Sequence, residues 1–328
     1  MISQEILNSF RGKKCTVTGG TGLIGREIVT ILADAGAKVT SVSLDTLELD
    51  DRVTYIRMDL CSFGNCKLLT EDEDYVFHVA GVKGSIDVTK SKPASFFVPL
   101  LQFNANVLEA CRINEVEKVV YTSSIGAYTS AEVFVEGVGD EGSPMDMYPG
   151  WAKRMAEMQI RLYREQYGLK NFAIVRPCNI YGPGDNFDPD NAMVIPTLMY
   201  KIARGDDPVE VWGDGSAIRD FAFSREVAEG VILALYHQPD IPYLNLGSGV
   251  GYSIKQLVET LQQVTPFNYH FDTTKSNGFP RRVMDITKAR ELIGYNPSMY
   301  LHDGLKETWE WFLENREEYK QKKNYFKE

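Results

Sequence analysis

The stretch Thr18-Gly19-Gly20-Thr21-Gly22-Leu23-Ile24-Gly25 decides the fold. Before it, Cys15-Thr16-Val17-Thr18 is a β-branched run that reads as a buried strand. After it, residues 23–32 read as a helix, with Leu23, Ile24, Ile28, Ile31 and Leu32 on one side. Glycines in such a turn let backbone N–H groups approach a diphosphate with no Cβ in the way, and the helix N-terminus adds a favourable dipole. Gly20, Gly22 and Gly25 satisfy the G-x-G-x-x-G spacing. A second strand, 38–44, ends at Asp45, 20 residues beyond Gly25, where a carboxylate takes the ribose hydroxyls of an adenine dinucleotide. Asp45 accepts from two hydroxyls and repels a 2′-phosphate; the nearest arginine in sequence is Arg52. The expected cofactor is therefore NAD.

Working outward, residues 53–57 read as a third strand that ends at Asp59-Leu60. Asp59 either meets the adenine amino group or caps the next helix. The apolar run 75–80 is a fourth strand, and its end at Ala80-Gly81 leaves room for a cofactor to pass close to backbone. A long helix over 96–112 precedes a fifth strand, 118–122, which ends in Ser123-Ser124. Strands and helices alternating at this pitch predict an α/β fold with a doubly wound parallel sheet, whose ligands sit at the strand C-terminal ends. At Tyr181-Gly182-Pro183-Gly184-Asp185 the pattern breaks, and shorter mixed segments follow. The expected organisation is a dinucleotide-binding domain over 1–180. A smaller mixed α/β substrate domain over 181–328 is interleaved with late elements of the first. No functional role is expected for residues 315–328.

A net charge of −10 argues against nucleic acid or an anionic membrane as the main partner. Five scattered cysteines, without C-x-x-C spacing, fit reduced thiols in a cytoplasmic protein rather than zinc or disulfides. No signal peptide opens the sequence, and no apolar run approaches a membrane span.

With these pieces placed, the sequence resembles the extended short-chain dehydrogenase/reductase family over nearly its whole length. The matching motifs are TGGTGLIG at 18–25, HVAG at 78–81, SSIGAY at 123–128, Lys153 on a helix, RPCNIYGPG at 176–184, GSAIRDF at 215–221 and RRVMD at 281–285. AGVKGS at 80–85, NVLEAC at 106–111, IYGPGDNF at 180–187 and VWGDG at 211–215 are most similar to its GDP-L-fucose synthase branch. The resemblance implies a nucleotide-sugar oxidoreductase that pairs as a homo-oligomer through helices near 93–113 and 148–168. It places cofactor contacts on Gly19, Thr21, Gly22, Leu23, Ile24 and Gly25 in the turn. Further cofactor contacts fall on Asp45, Asp59, Leu60, Ala80, Lys153 and Pro177 at strand ends and beyond. Substrate contacts fall on Lys83, Ser124, Asn179, Trp212, Arg219 and Arg281, the last with Arg282 beside it. The arginines would neutralise a diphosphate.

The resemblance also implies a serine that holds the sugar oxygen and a tyrosine phenolate that takes the alcohol proton, with a lysine four residues on lowering its pKa. Ser124 and Lys153 match. Four residues before Lys153, however, stands Pro149, and Tyr148 is one place too early. A proline at the first helical position would leave Tyr148 at the cap, free to reach the substrate. Otherwise Ser124, Lys153 or water handles the proton. Two further positions depart from the branch. Gly126 stands where its epimerising cysteine falls and Gly184 where its histidine falls, so C3/C5 epimerisation is expected to be absent. Ser-Ile-Gly at 124–126 also lacks the carboxylates of a 4,6-dehydratase. The activity expected from the resemblance is NAD-dependent oxidation at C4 of a GDP-hexose or GDP-heptose, with a GDP-4-keto-6-deoxy-sugar reductase or a nucleotide-sugar 4-epimerase as alternatives. The rival class is a non-catalytic member of the family that binds NADH or a sugar nucleotide.

Overall fold

The computed structural model describes residues 2–82, 84, 86–138 and 140–321. A sheet of seven parallel strands forms its centre: β1 (Lys14–Thr18), β2 (Lys38–Ser43), β3 (Thr54–Arg57), β4 (Tyr75–His78), β5 (Lys118–Thr122), β6 (Phe172–Pro177) and β7 (Leu244–Leu246). The spatial order is β7-β6-β5-β4-β1-β2-β3. The order reverses between β1 and β4, and the crevice of such a sheet opens at that switch. All residues of β4 and β6 are buried, as a parallel sheet covered on both faces requires. The helices α1 (Gly25–Asp34), α2 (Pro93–Ile113), α3 (Met147–Tyr167) and α4 (Ser224–His237) cover those faces, with α2 packed along α3 and α1 along α4.

The two halves of the chain exchange strands. β7 and α4, both beyond residue 180, belong to the main sheet and its cover. Conversely, Val133–Phe134 from the first half pairs with Arg281–Met284 in a second, mixed sheet built around Ile218–Phe223. That second unit has its own apolar core, including Phe187, Leu198, Met199, Phe221, Leu257, Leu261, Leu305 and Phe312. The helices Val194–Arg204, Ser224–His237, Ile254–Val264 and Leu301–Glu314 lie within about two residues of where the sequence pattern puts them, near 192–204, 225–236, 254–263 and from about 303. Short strands escaped the pattern: Asn179–Tyr181, Gly251–Ser253, Tyr269–Asp272 and Arg281–Met284 have three or four residues each, too few to establish a period.

The C-terminal stretch corrects one expectation. After Leu301–Glu314 the chain turns back, and Glu318 pairs with Arg26 just beyond the glycine turn. The Trp311 ring lies 5.2 Å from the same guanidinium, and Tyr319 lines the central cavity. The segment therefore closes one side of the crevice. Residues 322–328 and Lys83 lie outside the described residues. No helix among the described residues is long and apolar enough to cross a membrane.

Candidate active site

A cavity of about 520 Å³ runs from the glycine turn to the junction with the second sheet. At its first end the backbone determines the shape. Gly19 has φ +72°, and a Cβ there would lie 2.8 Å from the Ala80 Cα. A Cβ on Gly25 would lie 2.1 Å from the Gly19 carbonyl oxygen. Gly22 N–H donates to that oxygen at 2.9 Å, closing the turn. The glycine in the left-handed conformation is thus Gly19, and the working spacing is 19, 22, 25. Gly20 packs inward, where its Cβ would strike the Ser41 hydroxyl at 2.3 Å. Leu23 and Ile24 line the cavity as α1 begins at Gly25. This cradle, which any side chain would fill, fits a dinucleotide diphosphate.

Asp45 stands at the end of β2 on the same cavity. Its Oδ2 accepts from Thr21 Oγ1 at 2.8 Å and its Oδ1 from Leu47 N–H at 3.2 Å. The carboxylate is held in place as an acceptor, as ribose hydroxyls require. Arg52 is engaged elsewhere, with Asp50 and with Asp34 at 2.9 Å. A small adjoining recess of about 110 Å³ is lined by Ser43, Asp45, Thr46 and Arg57. Asp59 lines the main cavity while its Oδ1 accepts from Cys61 N–H at 2.9 Å. The capping reading of Asp59 is not met: Ser62 holds the N-cap position of the next helix, Phe63–Leu69, and the Asp59 bond closes a turn ahead of it, which leaves the carboxylate on the cavity wall. Leu60, Ala80 and Pro177 complete this wall.

At the far end the side chains carry the chemistry. Ser124 lines the cavity, and its Oγ accepts from Gly126 N–H at 3.0 Å, which leaves its own proton available to donate. Lys153 is 8 % exposed; its Nζ donates to the Thr122 carbonyl at 2.7 Å and stands 5.0 Å from the centre of the Tyr121 ring. Burial brings its pKa down to about 8, against the pull of Glu157 one helical turn away. Glu157 has little charge to spare, because Arg176 takes both its oxygens, at 2.9 and 2.6 Å. Under Lys153 runs a buried chain of hydrogen bonds: Thr18 Oγ1 to His78 Nδ1 (2.8 Å), His78 Nε2 to Asn104 Oδ1 (3.0 Å), and Asn104 Nδ2 to Tyr121 OH (3.1 Å). Burial and the nearby Lys153 push the His78 pKa down to about 3, so the ring is neutral.

The structure does not bring Tyr148 to this place. Helix α3 starts at Met147, so Tyr148 is already helical rather than at a cap. Five residues along a helix separate two side chains by about 140°, four by about 40°. Pro149 consequently shares the cavity wall with Lys153, while Tyr148 is 41 % exposed and absent from the lining. Trp212 is also outside: it is 53 % exposed, donating from Nε1 to Glu210 at 2.9 Å. In the strand Arg281–Met284 successive side chains alternate faces, and Arg282 rather than Arg281 lines the cavity. Arg281 lies on the side of Gly251, whose Cβ would be 3.5 Å from its guanidinium. Arg219 pairs in register with Arg282 but is not itself on the lining; burial and the Arg282 charge lower its pKa to about 10. Asn179 lines the cavity and donates to the Asp220 carbonyl at 3.1 Å.

Sequence reasoning missed Asp146, which lines the cavity and accepts from Arg282 Nη2 at 3.3 Å. It also missed His78, Asn104, Tyr121, Glu157 and Arg176. His78 and Arg176 open the motifs HVAG and RPCNIYGPG, without a role of their own assigned there, while the others show only as polar residues within largely apolar segments or as one carboxylate among several on a helix. The five cysteines are all free. No cluster of three or more metal-type ligands occurs among the described residues.

A family model described as the NAD dependent epimerase/dehydratase family matches residues 15–247. A putative GDP-L-fucose synthase of Arabidopsis thaliana is 32% identical over 93% of each chain. An epimerase of known structure from Methanothermobacter thermautotrophicus superposes with a TM-score of 0.86 at 25% identity, over 97% of each chain. A GDP-L-fucose synthetase from Naegleria fowleri, solved with NADP bound, gives 0.78 at 26% identity, over 94% of this chain and 96% of that one. The glycine cradle, the β1/β4 crevice and these likenesses agree that the chain belongs to the NAD dependent epimerase/dehydratase family, with the extended short-chain dehydrogenase/reductase fold.

Proposed function

We propose that the protein is an NAD(H)-dependent oxidoreductase acting at C4 of a nucleotide-linked sugar, preferably a GDP-hexose or GDP-heptose, without epimerisation at C3 or C5. The observation that carries this reading is the continuous cavity that joins the glycine cradle to Ser124 and Lys153. Gly19, Gly22 and Gly25 would hold the dinucleotide diphosphate and Asp45 its ribose. The nicotinamide supplies the hydride chemistry. Ser124 donates its free proton to the sugar oxygen and fixes its position. Lys153, with a pKa of about 8, is partly neutral near pH 7 and takes the hydroxyl proton in the place of the absent tyrosine. Arg282 and Asn179 would meet the nucleotide diphosphate, with Arg219 adding positive potential behind Arg282. At Gly126 and Gly184, where the branch carries its epimerising pair, no side chain is available to move a carbon-bound proton. Incubating the purified protein with NAD and a panel of GDP-, UDP- and dTDP-sugars while following absorbance at 340 nm tests the reading. Cofactor binding without turnover on any sugar would favour the non-catalytic alternative.

A second reading is the reductive direction with NADPH. It is favoured by Arg57 in the recess beside Asp45, a cation suited to a 2′-phosphate. It also draws on the NADP-bound Naegleria relative and on the dTDP-4-dehydro-6-deoxy-D-allose reductase of Streptomyces bikiniensis, 30% identical.

For the assembly we propose a homodimer through α3. Tyr148, Met155 and Leu162 recur every seven residues on that helix and are 41, 41 and 49 % exposed, with Met158 beside them at 43 %. Such a stripe is a helix-pairing face. Leu162→Glu is expected to give a monomer by light scattering.

A further inference from the structure

Helix α3 begins after Asp146, a residue type that normally caps by accepting from the helix's first N–H groups. Here the Asp146 side chain makes no such bond. It lies on the wall of the main cavity instead, where Arg282 Nη2 reaches its Oδ1 at 3.3 Å from the second sheet. Its Oδ2 stands 2.5 Å from where a Cβ on residue 126 would be. The carboxylate therefore fills the space that Gly126 leaves open. Its backbone N–H donates to the Gly126 carbonyl at 3.3 Å, so the two positions are locked together. Ser124 and Lys153 share this part of the wall, and Pro149, between Asp146 and Lys153 on the chain, offers neither donor nor N–H. The Arg282 Nε is buried without a hydrogen-bond partner.

We propose that Asp146 reads a ring hydroxyl of the sugar, accepting its hydrogen bond beside the carbon held by Ser124. This rests on the nucleotide-sugar reading above. A carboxylate is acceptor-only and takes neutral hydroxyls strongly. Arg282 orients it and offsets its charge, so that the neighbouring diphosphate is not repelled. Asp146 thus sets which sugar is accepted, and Gly126 is required because any side chain there would turn the carboxylate away.

The test is calorimetric titration of the cofactor-loaded protein with paired ligands: GDP and GDP-mannose, UDP and UDP-glucose, dTDP and dTDP-glucose. The pair that binds the wild type is then used on the variants. The wild type is expected to hold the sugar nucleotide more tightly than the bare nucleotide. Asp146→Asn is expected to keep the affinity for the bare nucleotide and to lose about ten- to a hundredfold for the sugar nucleotide. Gly126→Ala, which leaves the charge intact but displaces the carboxylate, is expected to show the same selective loss. Unchanged sugar-nucleotide affinity in both variants overturns the proposal, as does an equal loss for both ligands, which would place Asp146 on the diphosphate through Arg282. A wild type that binds none of the six ligands removes the nucleotide-sugar reading itself. Solvent deuterium entering C3 or C5 in the wild type but not in Asp146→Asn would assign the carboxylate to a carbon-bound proton and overturn the proposal in that way.

Discussion

The two ends of the cavity are built on opposite principles. At the end proposed for the cofactor, main chain forms the cradle and side chains are excluded: at Gly19 and Gly25 a methyl group has no room. At the end proposed for the sugar, the wall is made of side chains contributed by separate segments: Ser124 after β5, Asp146 and Lys153 around the start of α3, Asn179 after β6, and Arg282 in the second sheet. A site of the first kind tolerates almost no substitution but is indifferent to which chemistry follows. A site of the second kind can exchange its groups singly while the scaffold persists. On the proposed reading, Pro149, standing where the resemblance implies a tyrosine, is such an exchange.

Gly25→Ala should show the largest effect. The new methyl would sit 2.1 Å from the Gly19 oxygen, so the turn must open. Thermal stabilisation by saturating cofactor, about 2.7 kcal/mol at a hundredfold excess over Kd, is expected to vanish. Retention of that stabilisation would show that the turn adapts, and the contrast between the two ends would fail.

The same contrast explains what could be read from the sequence. A turn made by closely spaced glycines between a strand and a helix is visible in eight letters, and with Asp45 it marked the end of the cavity proposed for the cofactor. Five strands of the parallel sheet were legible as β-branched or apolar runs, whereas β6 (Phe172–Pro177), although fully buried, was not placed as a strand. Asp146 was not, because nothing in the sequence shows that it faces Gly126, twenty positions earlier. Arg281 was favoured over Arg282 because the strand that carries both has only four residues and its face could not be assigned. Trp212 was expected to touch the substrate, but it sits exposed at the end of a strand in a two-stranded sheet, where an aromatic residue looks the same in sequence.

Lys153→Met sharpens the comparison at the sugar end. Turnover should fall by roughly a hundred- to ten-thousandfold while cofactor binding is largely kept. The pH dependence follows from the depressed pKa of about 8. Only the neutral amine accepts a proton, so oxidation in the wild type should rise as pH increases through that value and level off above it. Reduction, which needs the ammonium form, should fall over the same interval. An oxidation rate independent of pH across this range would take Lys153 out of proton transfer.

A smaller effect is expected for Asp45→Ser. Removing the carboxylate takes an acceptor from the ribose and a negative charge from beside Arg57. NAD affinity should weaken about tenfold or somewhat more, and NADP affinity should improve, as read by quenching of protein fluorescence. If the unmodified protein already prefers NADP, Arg57 outweighs Asp45 and the reductive reading gains.

The smallest effect is expected at Tyr148, where the resemblance alone would have placed the largest. Tyr148→Phe should leave turnover within about twofold of the wild type, because removing a hydroxyl from an exposed surface position costs little. The reason lies in the helix. With α3 beginning at Met147, the residue in phase with Lys153 is Pro149, and the residues in phase with Tyr148 are Met155 and Leu162. In the proposed dimer, a ring in that stripe would serve packing between helices, for which phenylalanine is as good as tyrosine. A Tyr148→Phe protein that remains dimeric but loses a hundredfold in kcat would mean that the first turn of α3 unwinds when substrate enters. Proton transfer would then belong to a conformation in which Tyr148 turns inward. A Tyr148→Glu protein that becomes monomeric while retaining kcat would instead fix the ring at the helix-pairing face.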